Sequence, residues 1–511
     1  MATALPLSRP ALPLSHPAPA TAARPPVRIR SVLAIATAIV VLIALINQTT
    51  PPAIGVLIAL AALVPWMVAE PIRGLQVLVA AAIAIEIFAL DFPDSFTDKV
   101  PFFLNLNNTL NTNGLSATPA ELLMGFLLVI GLVRSGPAIR MRLVKGRLFV
   151  PYLLFLMVVM GGEIHGLLNG GDFNKSLWEL RPQVYGFVGF VIASLVIRSR
   201  QDLERLALVA AVAIALKAVI GDVRYFIILN HNLGAHETIL GHEDSYFLAL
   251  LPIAAVAALI WTGRSRVLNL LAMASLVALA ALLANERRAG ILALGGGVIV
   301  VVLLAIRFDV VHRRRLVVVA VIAAILVTAF LMAFWNVQHG LIGQLVRPIQ
   351  SQFDPTYRDY LSNIYRQAEN VNLQLSFQTN KLIGMGFGMP FLTVLAQADI
   401  SNIYPLWNYI PHNTLLWVGV RMGLVGSVTF WALFGTALLE VCRGLSTQRD
   451  RFLLALLTLA GGAIVAQLLV SYADLQLESY RNMIFIGVIF GVLNIVPAMF
   501  PGPAVEKRRL A

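Results

Sequence analysis

Apolar runs close to bilayer-spanning length follow one another along almost the whole chain, and they leave it little choice of fold. They lie near 32–49, 53–70, 74–90, 119–134, 148–166, 183–198, 203–220, 244–261, 267–284, 289–306, 316–334, 412–440, 452–472 and 481–500. A hydrocarbon core about 30 Å thick is crossed by a helix of roughly 20 apolar residues. Inside lipid every backbone N–H and C=O must be satisfied within the protein, which selects helices. The reading is an all-α polytopic membrane protein of about 14 transmembrane helices, with 12 as the lower bound. Charged residues make up 13% of the chain, against roughly a quarter in soluble domains.

The charges orient these runs. With the N-terminus inside and the spans alternating, the inside segments receive Arg134 to Arg147, Arg198 and Arg200, Arg264 and Arg266, Arg307 with Arg313 to Arg315, Arg443 to Arg451, and Lys507 to Arg509. Most acids fall on the other side. Basic residues concentrate in cytoplasmic loops, so both termini are expected in the cytoplasm. The net charge of +12 is dispersed in such clusters, which argues against a nucleic-acid partner. Cys442 is the one cysteine, which excludes a disulfide framework and a Cys-based metal site.

Residues 1–31, rich in Pro, Ala and Arg, are expected to form a disordered cytoplasmic tail, and 501–511 a second tail. Between them, 32–334 carries spans 1–11 and 412–500 spans 12–14. The segment 335–411 is too polar and irregular to lie in lipid, so it is expected to be one large extracytoplasmic loop domain. Within it Tyr357, Leu361, Ile364, Ala368, Val371 and Leu375 recur at helical spacing. They predict an amphipathic helix over roughly 355–377, its apolar stripe packed on the membrane domain. Asp359, Asn363, Arg366 and Asn370 lie opposite and face water or a cavity.

Several outside residues carry candidate chemistry. Arg287 and Arg288 stand in the tight loop Asn285-Glu286-Arg287-Arg288 between two spans. A guanidinium pair suits a diphosphate through bidentate hydrogen bonds; the plainer alternative is a snorkelling pair bonded to Glu286. His412 follows Pro411 at the start of a span. A helix N-terminus disfavours the imidazolium, and a neutral ring can act as general base, or the residue can simply cap the helix. Asn413 beside it can fix the ring or contact sugar hydroxyls. In Gly384-Met385-Gly386-Phe387-Gly388, Gly384 and Gly386 can bring backbone N–H groups to a ligand or make a structural turn; they do not form a P-loop. Arg181 is the residue of the outside segment 163–182 assigned to substrate. The stretch from His231 to Asp244 holds three His and three acids, including His236, Glu237, His242 and Glu243, but its spacings match no strong metal template. It reads as a polar interfacial loop.

Taken together, residues 285–430 resemble the superfamily of O-antigen ligases and O-antigen polymerases of bacterial surface-polysaccharide assembly. The resemblance rests on Arg366, Leu382-Ile383-Gly384-Met385-Gly386-Phe387-Gly388, His412-Asn413-Thr414-Leu415-Leu416, Gly423-Leu424-Val425-Gly426 and Arg288-Ala289-Gly290. It implies a membrane glycosyltransferase of GT-C type, in the bacterial inner membrane. The donor would be a glycan on undecaprenyl diphosphate on the outer side, and the acceptor a glycan or lipid. Arg287 and Arg288 would hold the diphosphate, with Arg366, Asn413, Arg181, Gly384 and Gly386 binding substrate and His412 acting on the acceptor hydroxyl. No metal or other cofactor is implied, and a flippase and a chain-length regulator are natural partners. A lipid-linked oligosaccharide flippase is the alternative, because fourteen spans also suit a transporter.

The orientation is testable through the single native thiol. A membrane-impermeant maleimide is expected to leave Cys442 unlabelled in intact cells. A lone cysteine introduced by Ser376→Cys, with Cys442→Ser, is expected to react. Labelling of native Cys442 in sealed cells would overturn the orientation.

Overall fold

The computed structural model describes residues 61–87, 92, 97, 100–107, 117–233, 238–337, 340–402 and 404–500. The tails 1–31 and 501–511, the run 32–49 and the first part of 53–70 lie outside them. All regular structure among the described residues is helical. Among the described residues, nine helices are long and apolar enough to cross a membrane, or ten if one bent pair is a single span. The chain is a multi-pass membrane protein. Fourteen spans are not reached among the described residues.

The apolar runs become α1 (Pro71–Ala84), α2 (Pro119–Arg134), α3 (Pro137–Lys145), α4 (Phe149–Leu168), α5 (Phe173–Val196), α6 (Arg200–Asp222), α7 (Asp244–Thr262), α8 (Arg266–Ala284), α9 (Arg288–Phe308) and α10 (Arg313–Ala333). α2 and α3 form the bent pair, at 117°. α1, expected as a span over 74–90, has 14 residues and falls short of a crossing. α6 continues into a π-helical turn, Val223–Ile228. The insert contributes α11 (Gly340–Phe353) and α12 (Tyr357–Thr379), and the chain ends with α13 (Thr414–Thr447), α14 (Arg451–Ala473) and α15 (Tyr480–Met499). α15 packs along α5, and α14 along α7 and α9.

Two corrections concern the insert. It holds two helices where one was expected; Ile342, Val346, Ile349 and Phe353 carry the missed signal at spacings of 4, 3 and 4. Its main helix also faces the other way. The apolar stripe of α12 is outward, with Tyr357 78%, Leu361 48% and Ile364 44% exposed. The polar stripe is inward, and Asp359, Glu369, Asn372 and Ser376 are buried, so the labelling position expected at Ser376 gives way to exposed Gln378 on the same helix. The reversal follows from hydrogen bonding, since these inward groups have partners on neighbouring segments. Arg347 Nη2 pairs with Asp359 at 2.7 Å. Asn372 Nδ2 donates to the Leu395 carbonyl, and its Oδ1 accepts from the Leu395 N–H. Burial pushes the Asp359 carboxyl up, but Arg347 and Arg288 together hold it below the usual carboxylate range. A lowered folded pKa means this clamp contributes fully above about pH 4 and is lost as pH falls through the lowered value.

α13 is broken at Gly423, whose φ is 62°. A break deprives a helix of several internal hydrogen bonds. The glycine turn supplies the replacements. Met385 N–H donates to the Val420 carbonyl at 2.8 Å and Gly386 N–H to the Arg421 carbonyl at 3.0 Å. On the other side of the break, Leu424 N–H donates to the Lys381 carbonyl at 2.7 Å and Val425 N–H to that of Leu382 at 3.2 Å. Gly384, Gly386 and Gly388 all have positive φ, a conformation open mainly to glycine. A Cβ on Gly384 would stand 2.4 Å from the Arg421 carbonyl carbon. Below the turn, Arg421 Nε meets Glu179 of α5 at 2.5 Å with both side chains fully buried. Glu179 also accepts from Gly388 N–H and Trp417 Nε1.

Removing one member of such a pair leaves a buried charge without its counter-ion, at a cost of about 3–5 kcal/mol. Glu179→Ala is therefore expected to lower the thermal unfolding midpoint of the purified protein sharply, while Lys381→Ala, at an exposed side chain, leaves it in place. A Glu179→Ala protein as stable as the parent would mean that the pair does not hold the break.

Candidate functional site

A cavity of about 490 Å³ opens where α12 crosses the ends of the spanning helices. Arg287, from the turn between α8 and α9, lines it together with Arg366 of α12 and His412. Three residues singled out in the sequence, 79 and 46 positions apart, thus share one chamber. His242, Ser362, Tyr365 and Tyr404 add neutral polar groups to its wall, and Glu86 and Glu243 add two carboxylates.

The α8–α9 turn is rigidly set. Glu286 adopts a φ of 53°, and Asn285 caps α8 while its amide spans Leu240 N–H and Ser245 Oγ. The two arginines then part. Arg287 Nη2 donates to His242 Nε2 at 2.7 Å, and His242 Nδ1 faces Asp474 Oδ2 at 3.2 Å. A guanidinium can only donate, so Nε2 must accept and the ring proton sits on Nδ1, toward Asp474. The imidazole thus links a cation at the cavity wall to a buried carboxylate. Burial works to raise the Asp474 pKa, but His242, Arg287 and Arg366 drive it well below the carboxylate range. Arg288 instead ties α9 to the insert helices, donating to Ser351 Oγ at 2.8 Å and Asn363 Oδ1 at 3.2 Å, with Asp359 at 3.8 Å. It does not line this cavity, and its contacts brace α9 against the insert helices. Glu286 pairs with Arg347 at 3.3 Å.

Arg366 has no hydrogen bond or ion pair among the described residues, and its charge stands in the cavity wall. His412 precedes the helix cap; the cap is Asn413, whose Oδ1 accepts from Leu416 N–H at 3.1 Å. The charge nearest the ring is therefore not the helix terminus but Glu369. That carboxylate faces His412 Nδ1 at 3.1 Å and also accepts from the His412 N–H at 3.0 Å. The Nδ1–H tautomer leaves Nε2 as the acceptor, the arrangement of a carboxylate-oriented base. Tyr365 stacks edge-on against the ring at 5.7 Å. Burial, with Glu369 and Asp399 nearby, pushes the Tyr365 phenol up to about 12, and burial with several acids raises Tyr404 well above the usual phenol range. Both stay protonated and able to donate.

The remaining candidates lie elsewhere. Gly384 and Gly386 use their N–H groups on Asn380 and on Arg421, so they build the turn and offer nothing to this cavity. Arg181 pairs with Glu121 at 3.3 Å. Asn413 faces a neighbouring cavity and donates to Asn370 Oδ1 at 3.1 Å. His231 packs edge-on against Tyr225 and Phe226, and His236 and Glu237 lie outside the described residues. Sequence reasoning missed Glu369, although it sits one turn beyond Arg366 on the same helix. It weighed His242 only as part of a polar loop and missed its pairing with Asp474, which spans 232 positions and leaves no local signal. Beneath the cavity Lys217 bonds Glu86 at 2.6 Å, and Arg481 bonds Asp244.

No family model matches this sequence, and no curated protein is significantly similar to it.

Two guanidiniums facing one chamber can hold a polyanion, with inorganic pyrophosphate as the simplest probe. Arg287→Ala and Arg366→Ala are each expected to weaken its binding roughly tenfold, the worth of one charge-assisted hydrogen bond. Arg288→Ala is expected to lower the thermal midpoint and leave affinity near that of the parent. The opposite pattern, with affinity lost through Arg288 alone, would return the anion site to Arg288.

Proposed function

We propose that this protein is a membrane glycosyltransferase, similar to O-antigen ligases and polymerases, acting on a glycan linked to undecaprenyl diphosphate. The observation that carries the reading is the convergence of Arg287, Arg366 and the His412–Glu369 dyad on one cavity at the ends of the spanning helices. A substrate with a diphosphate head and a lipid tail needs cationic groups at such a boundary, and few other ligands do. A GT-C-like arrangement with up to fourteen spans, facing the outer side of the bacterial inner membrane, belongs to the same proposal.

The chemistry follows from the chain's own groups. An acceptor hydroxyl attacks the anomeric carbon of the donor sugar. The bond from that carbon to the diphosphate oxygen breaks, and the lipid diphosphate leaves with the bonding electrons. Arg287 and Arg366 stabilise the charge that develops on the leaving oxygen. His412 Nε2 takes the hydroxyl proton, while Glu369 orients the ring through Nδ1–H and stabilises the imidazolium that forms. Asp474, through His242, holds Arg287 at the wall. Tyr365 and Tyr404 are placed to donate to sugar or phosphate oxygens.

With purified protein and lipid-linked donor, His412→Ala is expected to lower transfer by about two to four powers of ten, the range of a general base, with the protein still inserted. His412→Gln separates proton transfer from orientation, since it can hydrogen-bond but not accept the proton. An equal loss in both supports base catalysis, and near-complete rescue by Gln would reduce His412 to positioning. Unchanged transfer in the Ala variant would remove it from the mechanism.

A further inference from the structure

A second cavity, of about 390 Å³, lies beside the first, on the other side of the Asn413–Asn370 amide bridge. Its chemistry differs from that of its neighbour. No charged residue lines it. One wall is a single face of α12, with Asn370, Gln374 and Phe377 at helical spacing. The facing wall is α13 on both sides of its break, with Asn413 above and Ser427 and Trp431 below. Gly419 lets the walls approach, since a Cβ there would stand 3.3 Å from Phe377.

The lining is also graded. Asn370, Gln374 and Asn413 gather near the amide bridge. Trp431 is half exposed, and with Leu424 and Val428 it continues the outward apolar surface of α13. Gln374 makes no hydrogen bond among the described residues, and its amide is open to a ligand. Amides and a hydroxyl beside aromatic rings suit neutral polyol groups, whose hydroxyls take hydrogen bonds and whose C–H faces lie on rings. Apolar surface running on from the same cavity suits an alkyl or prenyl chain.

From these features we infer that the second cavity binds the acceptor substrate, as an uncharged, hydroxyl-rich headgroup carried on an apolar chain. The inference rests on the glycosyltransferase reading and assigns its two substrates by charge. The diphosphate donor takes the cavity that holds Arg287 and Arg366, and the neutral acceptor takes the one that no charged residue lines. Consecutive residues then serve the two sites: His412 faces the donor side and Asn413 the acceptor side, so an acceptor hydroxyl reaching past the amide bridge arrives beside the base.

The test uses the full chain in lipid nanodiscs, with Cys442→Ser and Ser427→Cys, so that one thiol reports on the cavity. The maleimide labelling rate is measured with n-octyl β-glucoside below its micellar concentration, and with n-octyl phosphocholine, which has the same tail and a charged head. The glucoside is expected to slow labelling severalfold and the phosphocholine to leave it unchanged, and Gln374→Leu is expected to abolish the protection. Equal protection by both would mean a crevice that takes any alkyl chain, and protection by neither would mean no site; either result overturns the inference. Should the thiol at 427 prove unreactive, the same comparison is read at Tyr472→Cys on the adjoining wall. The readout needs no donor and no turnover. Protection without pyrophosphate affinity would sink the glycosyltransferase reading and with it the acceptor role, leaving a site for a neutral amphiphile, and pyrophosphate affinity without protection would sink this inference alone.

Discussion

The buried contact between Glu179 and Arg421 supports most of what is distinctive in this molecule. A charge pair deep in a membrane protein is tolerated only when its remaining hydrogen-bonding capacity is met. Here the surplus is met by backbone. Arg421 reaches the carbonyls of Gly386, Met389 and Tyr409, and Glu179 receives the N–H of Gly388. The pair thus fastens the glycine turn and the stretch before α13 to α5. That same turn satisfies the backbone groups exposed by the break at Gly423. Charge pair, glycine turn and helix break depend on one another. Their joint result is to deliver the residues before Thr414, His412 and Asn413, to fixed positions.

The second constraint is the inward polar face of α12. An amphipathic helix at a bilayer surface can bury either stripe, and the outcome depends on what lies beneath it. Beneath α12 are α11, which bears Arg347, and the helix ends and loops that bear Arg288, His412 and Asn413. Each finds a polar partner on the helix, in Asn363, Asp359, Glu369 and Asn370 respectively. A helix fastened this way becomes a wall shared by two chambers. Arg366 faces the charged one, and Gln374, two turns on, faces the uncharged one.

Much was legible before any coordinates. The apolar runs became helices with boundaries within a few residues for α7, α8, α9, α14 and α15, because hydrophobic length is a strong signal in lipid. Arg287, Arg366 and His412 were named from residue type and place, and they meet in one cavity. The division of labour between Arg287 and Arg288 was not legible. Adjacent arginines are chemically alike, and which one enters the chamber depends on the left-handed turn at Glu286. The role of the glycines was not legible either, since a ligand loop and a helix-break splint need the same permissive φ.

The sequence by itself determined that this chain lives in a membrane as a bundle of helices, that a long polar segment must leave the bilayer, and that a few charged residues would be confined near its boundary. Those conclusions need only the cost of burying polar backbone and the length of a span. Tertiary structure decided which stripe of α12 turns inward, which arginine lines the cavity, and that His412 answers to Glu369 rather than to a helix terminus. It also paired His242 with Asp474 across 232 positions. These outcomes are set by contacts between segments far apart in the chain, where the partner of each polar group is fixed by packing geometry and leaves no periodicity for a sequence to reveal.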